Sequence, residues 1–242
     1  FRSDQLSFME HPTYLSLKVL MAIALLIVMR KDLNSSKTEI IIEVILLLLF
    51  IFSLSSRTGL VITFFLVSYF VYKLLKYKRK HYFLLVLIPI LAYALFKISS
   101  INVRINNRTE PVWNRYKEGE LKIKDIDPRF TSWFTAWDLI KKNPLFGVGT
   151  NSRNILAAEY ERTGYHTEAK LRLNAHNQFL ETQLTFGIPG SLILLWMLFL
   201  PIIRRKRYWN HELIAPFLII VITSMLFESI LVRQWGIMFF VL

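Results

Sequence analysis

The chain has 242 residues, 54% of them hydrophobic, a positive mean hydropathy and a formal charge of +13. So apolar a composition excludes an ordinary soluble domain and fits a multi-span membrane protein. The basic residues sit mainly in short loops between apolar runs, which argues against a nucleic-acid partner, and the lack of cysteine excludes disulfides, thiolate metal sites and thiol nucleophiles.

A membrane span needs roughly 20 mostly apolar residues. Six stretches approach that length: Tyr14 to Met29, Ile40 to Leu54, Leu60 to Leu75, Tyr82 to Ile98, Phe179 to Ile203 and Leu213 to Phe227. A seventh begins near Trp235 and is cut off at Leu242. Because the first residue is Phe1 and the last lies within an apolar run, the chain reads as a fragment of a longer protein. The expected organisation is four transmembrane helices over 1–98, a large polar loop carrying the site over 99–177, and C-terminal transmembrane helices over 178–242, the last truncated. The fold class is an all-α polytopic membrane protein, a transmembrane helix bundle with a large periplasmic loop that contains short helices.

Orientation follows from the basic loops. Arg30, Lys31 and Lys37 follow the first span; Lys73, Lys76, Lys78, Arg79 and Lys80 the third; Arg204, Arg205, Lys206 and Arg207 the fifth. Short cytoplasmic loops are rich in Lys and Arg, so alternation puts all three inside. The remaining connections then face outward: the stretch before Pro12 with His11, the turn at Ser55-Ser56-Arg57-Thr58-Gly59, the large loop, and Glu228 to Arg233. Arg57 is the only charge in its turn. It suits either an interfacial Arg that snorkels to the headgroups or a guanidinium that holds a phosphate bidentately.

Within the large loop, Asp127-Pro128 reads as an N-cap followed by Pro at the first helical position. Phe130, Trp133, Phe134, Trp137 and Ile140 recur with helical spacing and predict an amphipathic helix, packed against the spans or lying at the interface. Lys141 and Lys142 suit its C-terminal dipole, and Pro144 stops it. Arg129 stands near the positive end of that helix, where a carboxylate partner or an anionic ligand would explain it. Leu145-Phe146-Gly147-Val148-Gly149 lacks the Rossmann and P-loop spacings, and a tight turn suits it better than a phosphate cradle.

The loop closes with Asn174-Ala175-His176-Asn177-Gln178. If Asn174 caps the last long helix, His176 lies in its first turn, where the positive dipole end favours a neutral imidazole able to accept a proton. A hydrogen-bonded interfacial histidine is the alternative. Beyond the sixth span, Glu228 and Arg233 are charges at membrane depth, functional candidates by default, or else a structural ion pair of Glu228 with Arg233 or Arg57. No His and carboxylate pair at i, i+3 or i+4 suggests a metal, so neither a metal nor another cofactor is invoked.

Several segments, in order, resemble the O-antigen ligase family, within a superfamily that includes O-antigen polymerases. They are Ser56-Arg57-Thr58-Gly59, Arg129-Phe130-Thr131-Ser132-Trp133, Asn143-Pro144-Leu145-Phe146-Gly147-Val148-Gly149, His176-Asn177-Gln178-Phe179-Leu180, Phe186-Gly187-Ile188-Pro189-Gly190 and Phe227-Glu228 with Arg233, and His11 to Tyr14 resembles an upstream segment. The resemblance implies a bacterial inner-membrane protein similar to C-type membrane glycosyltransferases. It implies transfer of a glycan from undecaprenyl diphosphate to a sugar hydroxyl such as lipid A-core, on the periplasmic face, with inversion and without a metal. His176 corresponds to the proposed base, and Arg57 and Arg129 to the arginines proposed to hold the diphosphate. Asn177, Glu228, Arg233 and His11 are supporting candidates. A polymerase acting on a lipid-linked glycan acceptor shares this pattern. A transporter or flippase of lipid-linked anions would instead string charges along the midplane of several spans.

Overall fold

The computed structural model describes residues 11–30, 32–33, 36–54, 56–77, 128–204 and 211–241. The fourth expected span at 82–98, the loop up to Asp127, and the basic residues at 78–80 and 205–207 lie outside these. Among the described residues all regular structure is helical: α1 Pro12–Val28, α2 Lys37–Ser53, α3 Arg57–Tyr77, α4 Pro128–Lys142, α5 Ser152–Arg162, α6 His166–Leu171, α7 Gln178–Ile203, α8 His211–Phe227, a 3₁₀ turn Ile230–Val232 and α9 Gln234–Val241. Arg57–Lys76 and Gln178–Ile203 are long and apolar enough to cross a membrane, and Pro12–Val28 and Glu212–Phe227 are shorter apolar helices. The chain divides into two compact units, the first of 1–103, 204–224 and 234–242, the second of 104–203 and 225–233.

In the first unit α1 packs against α2, α3 and α9. It opens with Pro12 after His11, whose Nδ1 accepts the Thr13 N–H at 3.4 Å, so this histidine is an N-cap. α2 opens with a capping box, in which the Ser36 hydroxyl and Glu39 carboxylate each accept the other's backbone N–H. α3 approaches α1 closely because Gly59 has no side chain: a Cβ there would lie 2.7 Å from Ser16 Cβ. Ser56 Oγ and Thr13 Oγ1 meet at 3.4 Å, bringing together two motif segments 43 residues apart. At the far end of α3, Lys73 Nζ donates to Glu212 at 2.6 Å.

In the second unit α4 crosses α7 over a core of Ala136, Leu139, Ile140, Leu156, Tyr160, Ala175 and Leu184. The buried face of α4 is not the aromatic stripe. Thr131, Ser132, Thr135, Ala136, Leu139 and, from the predicted stripe, Ile140 are buried, Trp133 is half-buried, and Phe130, Phe134 and Trp137 are exposed. Small residues let α4 close on its neighbours, and Phe130, Phe134 and Trp137 are left outward as in an interfacial helix.

α7 is broken at Gly187, with φ +64° and ψ −154°, and resumes with Pro189, which lacks the N–H that a continuous helix would use. The Leu145–Gly149 loop enters the break. Val148 N–H donates to Leu184 O at 2.7 Å, Gly149 N–H to Thr185 O at 3.0 Å, and Ile188 N–H to Leu145 O at 3.0 Å. Gly147 and Gly187 face each other so closely that a Cβ on either would meet backbone atoms within 2.5 Å. The glycines of two motif segments therefore allow a loop to satisfy the carbonyls of an interrupted helix, which apolar surroundings would otherwise leave unpaired. The tight-turn reading holds for Gly147, with this added reason.

Candidate active site

His176 stands just ahead of α7, in a loop held by three side chains. Asn174 Oδ1 accepts the His176 N–H at 3.1 Å, and the Glu181 carboxylate accepts the Ala175 N–H at 2.8 Å. Asn177 Oδ1 accepts the N–H groups of Phe179 and Leu180, at 2.9 and 3.1 Å. Asn177 is therefore the N-cap, not Asn174. This corrects the sequence expectation: His176 precedes the cap and lies outside the first helical turn. The reason is that Asn174 spends its side chain on the loop itself, supporting His176 in a left-handed conformation (φ +45°) that non-glycine residues seldom adopt. Trp133 Nε1–H donates to the His176 carbonyl at 3.3 Å and closes the loop against α4.

The same helix start also anchors the segment after α8. Asn177 Nδ2 donates to Leu226 O at 3.1 Å, and Leu231 N–H donates to Gln178 Oε1 at 2.7 Å. Between those anchors lies Glu228. Its Oε1 accepts from Arg129 Nη2 at 2.9 Å, and its Oε2 lies 3.3 Å from His176 Nδ1. Arg129, His176 and Glu228 thus converge from segments up to 99 residues apart. The Glu228 side chain is 16% exposed, against 27% for each partner. Burial pushes its carboxyl pKa up, but the His176 hydrogen bond and the Arg129 charge outweigh this and hold it below the usual carboxylate range.

The carboxylate partner expected for Arg129 is Glu228. Arg233, expected as a partner of Glu228, is exposed and comes after the 3₁₀ turn Ile230–Val232, and it makes no ion pair among the described residues. Arg57 opens α3 and His11 caps α1, both in the first unit. Among the described residues no three or more His, Asp or Glu side chains gather as metal ligands. Sequence reasoning passed over Asn174 and Glu181 as supports of the His176 loop. The one signal for Glu181 was a carboxylate in the first turn of an apolar helix, a place that capping explains as readily.

An O-antigen ligase family model matches residues 42–195, well over half of the chain. The chain belongs to the O-antigen ligase family. The match takes in Arg57, Arg129 and His176 and stops before Glu228. Membership points to glycan transfer of the ligase or polymerase type by a membrane protein. No curated protein and no solved structure matches the chain.

Proposed function

We propose that this chain transfers a glycan from undecaprenyl diphosphate to a sugar hydroxyl, with lipid A-core as the acceptor, at the periplasmic face of the bacterial inner membrane. The observation that carries this reading is the Arg129–Glu228–His176 cluster at the head of a long apolar helix. With Nδ1–H donated to Glu228, the neutral imidazole keeps its lone pair on Nε2, the nitrogen that accepts a proton. The acceptor hydroxyl loses its proton to Nε2 as its oxygen bonds to the anomeric carbon. The bond from that carbon to the diphosphate oxygen breaks on the opposite side, which inverts the centre. The charge left on undecaprenyl diphosphate is stabilised by guanidinium groups. A guanidinium has five N–H donors, so Arg129 serves Glu228 and a phosphate oxygen together, and Arg57 is the second proposed phosphate ligand. No metal is required in this scheme.

The test is transfer from a lipid-linked glycan to lipid A-core in vitro, per folded enzyme. His176→Ala is expected to lose about 10²–10⁴-fold in turnover with donor binding nearly unchanged, and His176→Gln to be almost as poor, since an amide holds a hydroxyl but does not take its proton. Turnover of His176→Gln within about tenfold of the parent would remove the general-base role. Arg57→Lys is expected to be nearly as damaging as Arg57→Ala, because an ammonium lacks the planar fork. Full activity in Arg57→Lys would take Arg57 out of the site.

A further inference from the structure

Length sets the depth of the break in α7. From Gly187 the helix runs another 16 residues to Ile203, about 24 Å at 1.5 Å each, and any tilt shortens that height. Arg204, Arg205, Lys206 and Arg207 follow at once, a run of charge that stays at the headgroups. The hydrocarbon layer is roughly 30 Å thick, so about 6 Å of it remains beyond Gly187. The break therefore falls inside the layer, and so does the Leu145–Gly149 loop lodged in it.

Two features of the loop fit that depth. One is the surface it shows. Phe146 is 79% exposed and Leu145 60%, and Phe186 and Ile188, on either side of Gly187, are 54% and 43% exposed. These four side chains carry the exposed apolar surface of α7 at Leu192, Ile193 and Trp196 past the break, and a patch of that kind marks contact with lipid or protein, not water. The other feature is the backbone. The carbonyls of Asn143, Pro144 and Leu145 accept from the Gly147 N–H, the Gln183 side chain and the Ile188 N–H, and the Val148 and Gly149 N–H groups donate to Leu184 and Thr185. In a surface turn water would serve these groups. In hydrocarbon only the protein can, and irregular backbone at membrane depth is tolerated on that condition.

We propose that Leu145–Gly149 is a re-entrant membrane element, with Leu145 and Phe146 set among the acyl chains of the bilayer beside Phe186 and Ile188, even though it belongs to the stretch 99–177 read from the sequence as a polar loop. The placement rests on α7 as a membrane span and not on glycan transfer. It also anchors α4, which ends at Lys142 and carries Arg129 and Trp133, at the bilayer surface. The chain has no cysteine, so a nitroxide label can be attached at one position at a time. The test is how often that label, on the full chain in nanodiscs, collides with oxygen, which concentrates in hydrocarbon, and with a nickel chelate, which stays in water. Leu145→Cys and Phe146→Cys are at exposed positions that tolerate a label, Leu192→Cys gives the lipid reference and Glu161→Cys, exposed on α5, the water reference. Labels at 145 and 146 are expected to meet nickel about tenfold less often than the label at 161, and oxygen within about threefold of the label at 192. Nickel contact at either position within about twofold of that at 161 would overturn the placement. So would exclusion of both reagents, which would mean that a protein surface and not lipid covers the loop. Phe146→Trp, which keeps an apolar ring in place, gives a second reading without a label. It is expected to add emission that lipids brominated on their acyl chains quench, and no added quenchable emission over the parent would also overturn the placement.

Discussion

Glu228 is the residue on which the candidate site turns, because it touches both the imidazole and the guanidinium. Its depressed pKa keeps it a carboxylate throughout the neutral range. The stabilisation it contributes is present above the ordinary carboxylate pKa and is lost only as pH falls through its own lower value. Glu228→Gln keeps the shape but takes away the charge that orients the ring, and turnover is expected to fall about a hundredfold or more per folded enzyme. A fall of less than about threefold would show that Glu228 is only a structural partner of Arg129. Glu159 allows a separate check at the same scale. Its hydrogen bonds from Arg162 and Lys142 lower its pKa from 4.5 to about 2. Its contribution to stability is therefore complete above about 4.5 and disappears as pH falls toward 2. The thermal midpoint in detergent is expected to decline across that window, and Glu159→Gln to flatten part of the decline.

Among the elements, α7 departs furthest from what its composition suggests. Read as a run of apolar residues it is one span; in three dimensions it is two helical pieces with the Leu145–Gly149 loop lodged between them. Gly147 and Gly149 look alike in sequence, both have positive φ, yet only Gly147 is crowded by backbone, while a Cβ on Gly149 meets nothing within 4 Å. Gly147→Ala and Gly187→Ala are each expected to cost about 2–5 kcal/mol, from left-handed strain plus overpacking. Gly149→Ala is expected to cost about 1–2 kcal/mol, from strain alone. Thermal unfolding of the purified variants in detergent measures the difference, and equal losses at all three glycines would refute the interlocked turn. α4 makes the same point by packing: Phe130, Phe134 and Trp137 catch the eye in the sequence but are exposed, while Thr131, Ser132, Thr135, Ala136, Leu139 and Ile140 are buried and Trp133 bonds the His176 carbonyl.

For the whole molecule the outstanding question is which way the helices run through the membrane. In the first unit the start of α1 meets the start of α3 through Thr13 and Ser56, Lys18 near the start of α1 lies over Trp235 at the start of α9, and the end of α3 pairs with the start of α8 through Lys73 and Glu212. These pairings are what alternation of spans requires within the first unit whichever way it faces, and the side each end faces is read from the basic loops alone. Cysteines replacing Glu161 and Lys170 are expected to react with an impermeant reagent in intact cells, and cysteines replacing Asp32 and Arg204 to react only after lysis. The chain has no cysteine of its own to confuse the result. The reverse pattern would invert the topology and withdraw the periplasmic site.

Much of this was legible in the sequence, because helix ends and membrane length depend on neighbouring residues. Pro128 and the apolar runs announce α4 and the long helices with little help from the rest of the chain. The family was also readable, since short motifs kept in order carry it. What the sequence did not decide were the partners. Nothing local distinguishes Arg129 from Arg233 as the cation for Glu228, or Asn177 from Asn174 as the cap of α7. Those choices depend on hydrogen bonds that close only when α4, α7 and the segment after α8 pack together. A charge or an amide has many candidate mates along a chain, and burial selects among them, because an unpaired polar group in an apolar interior is what the fold must avoid.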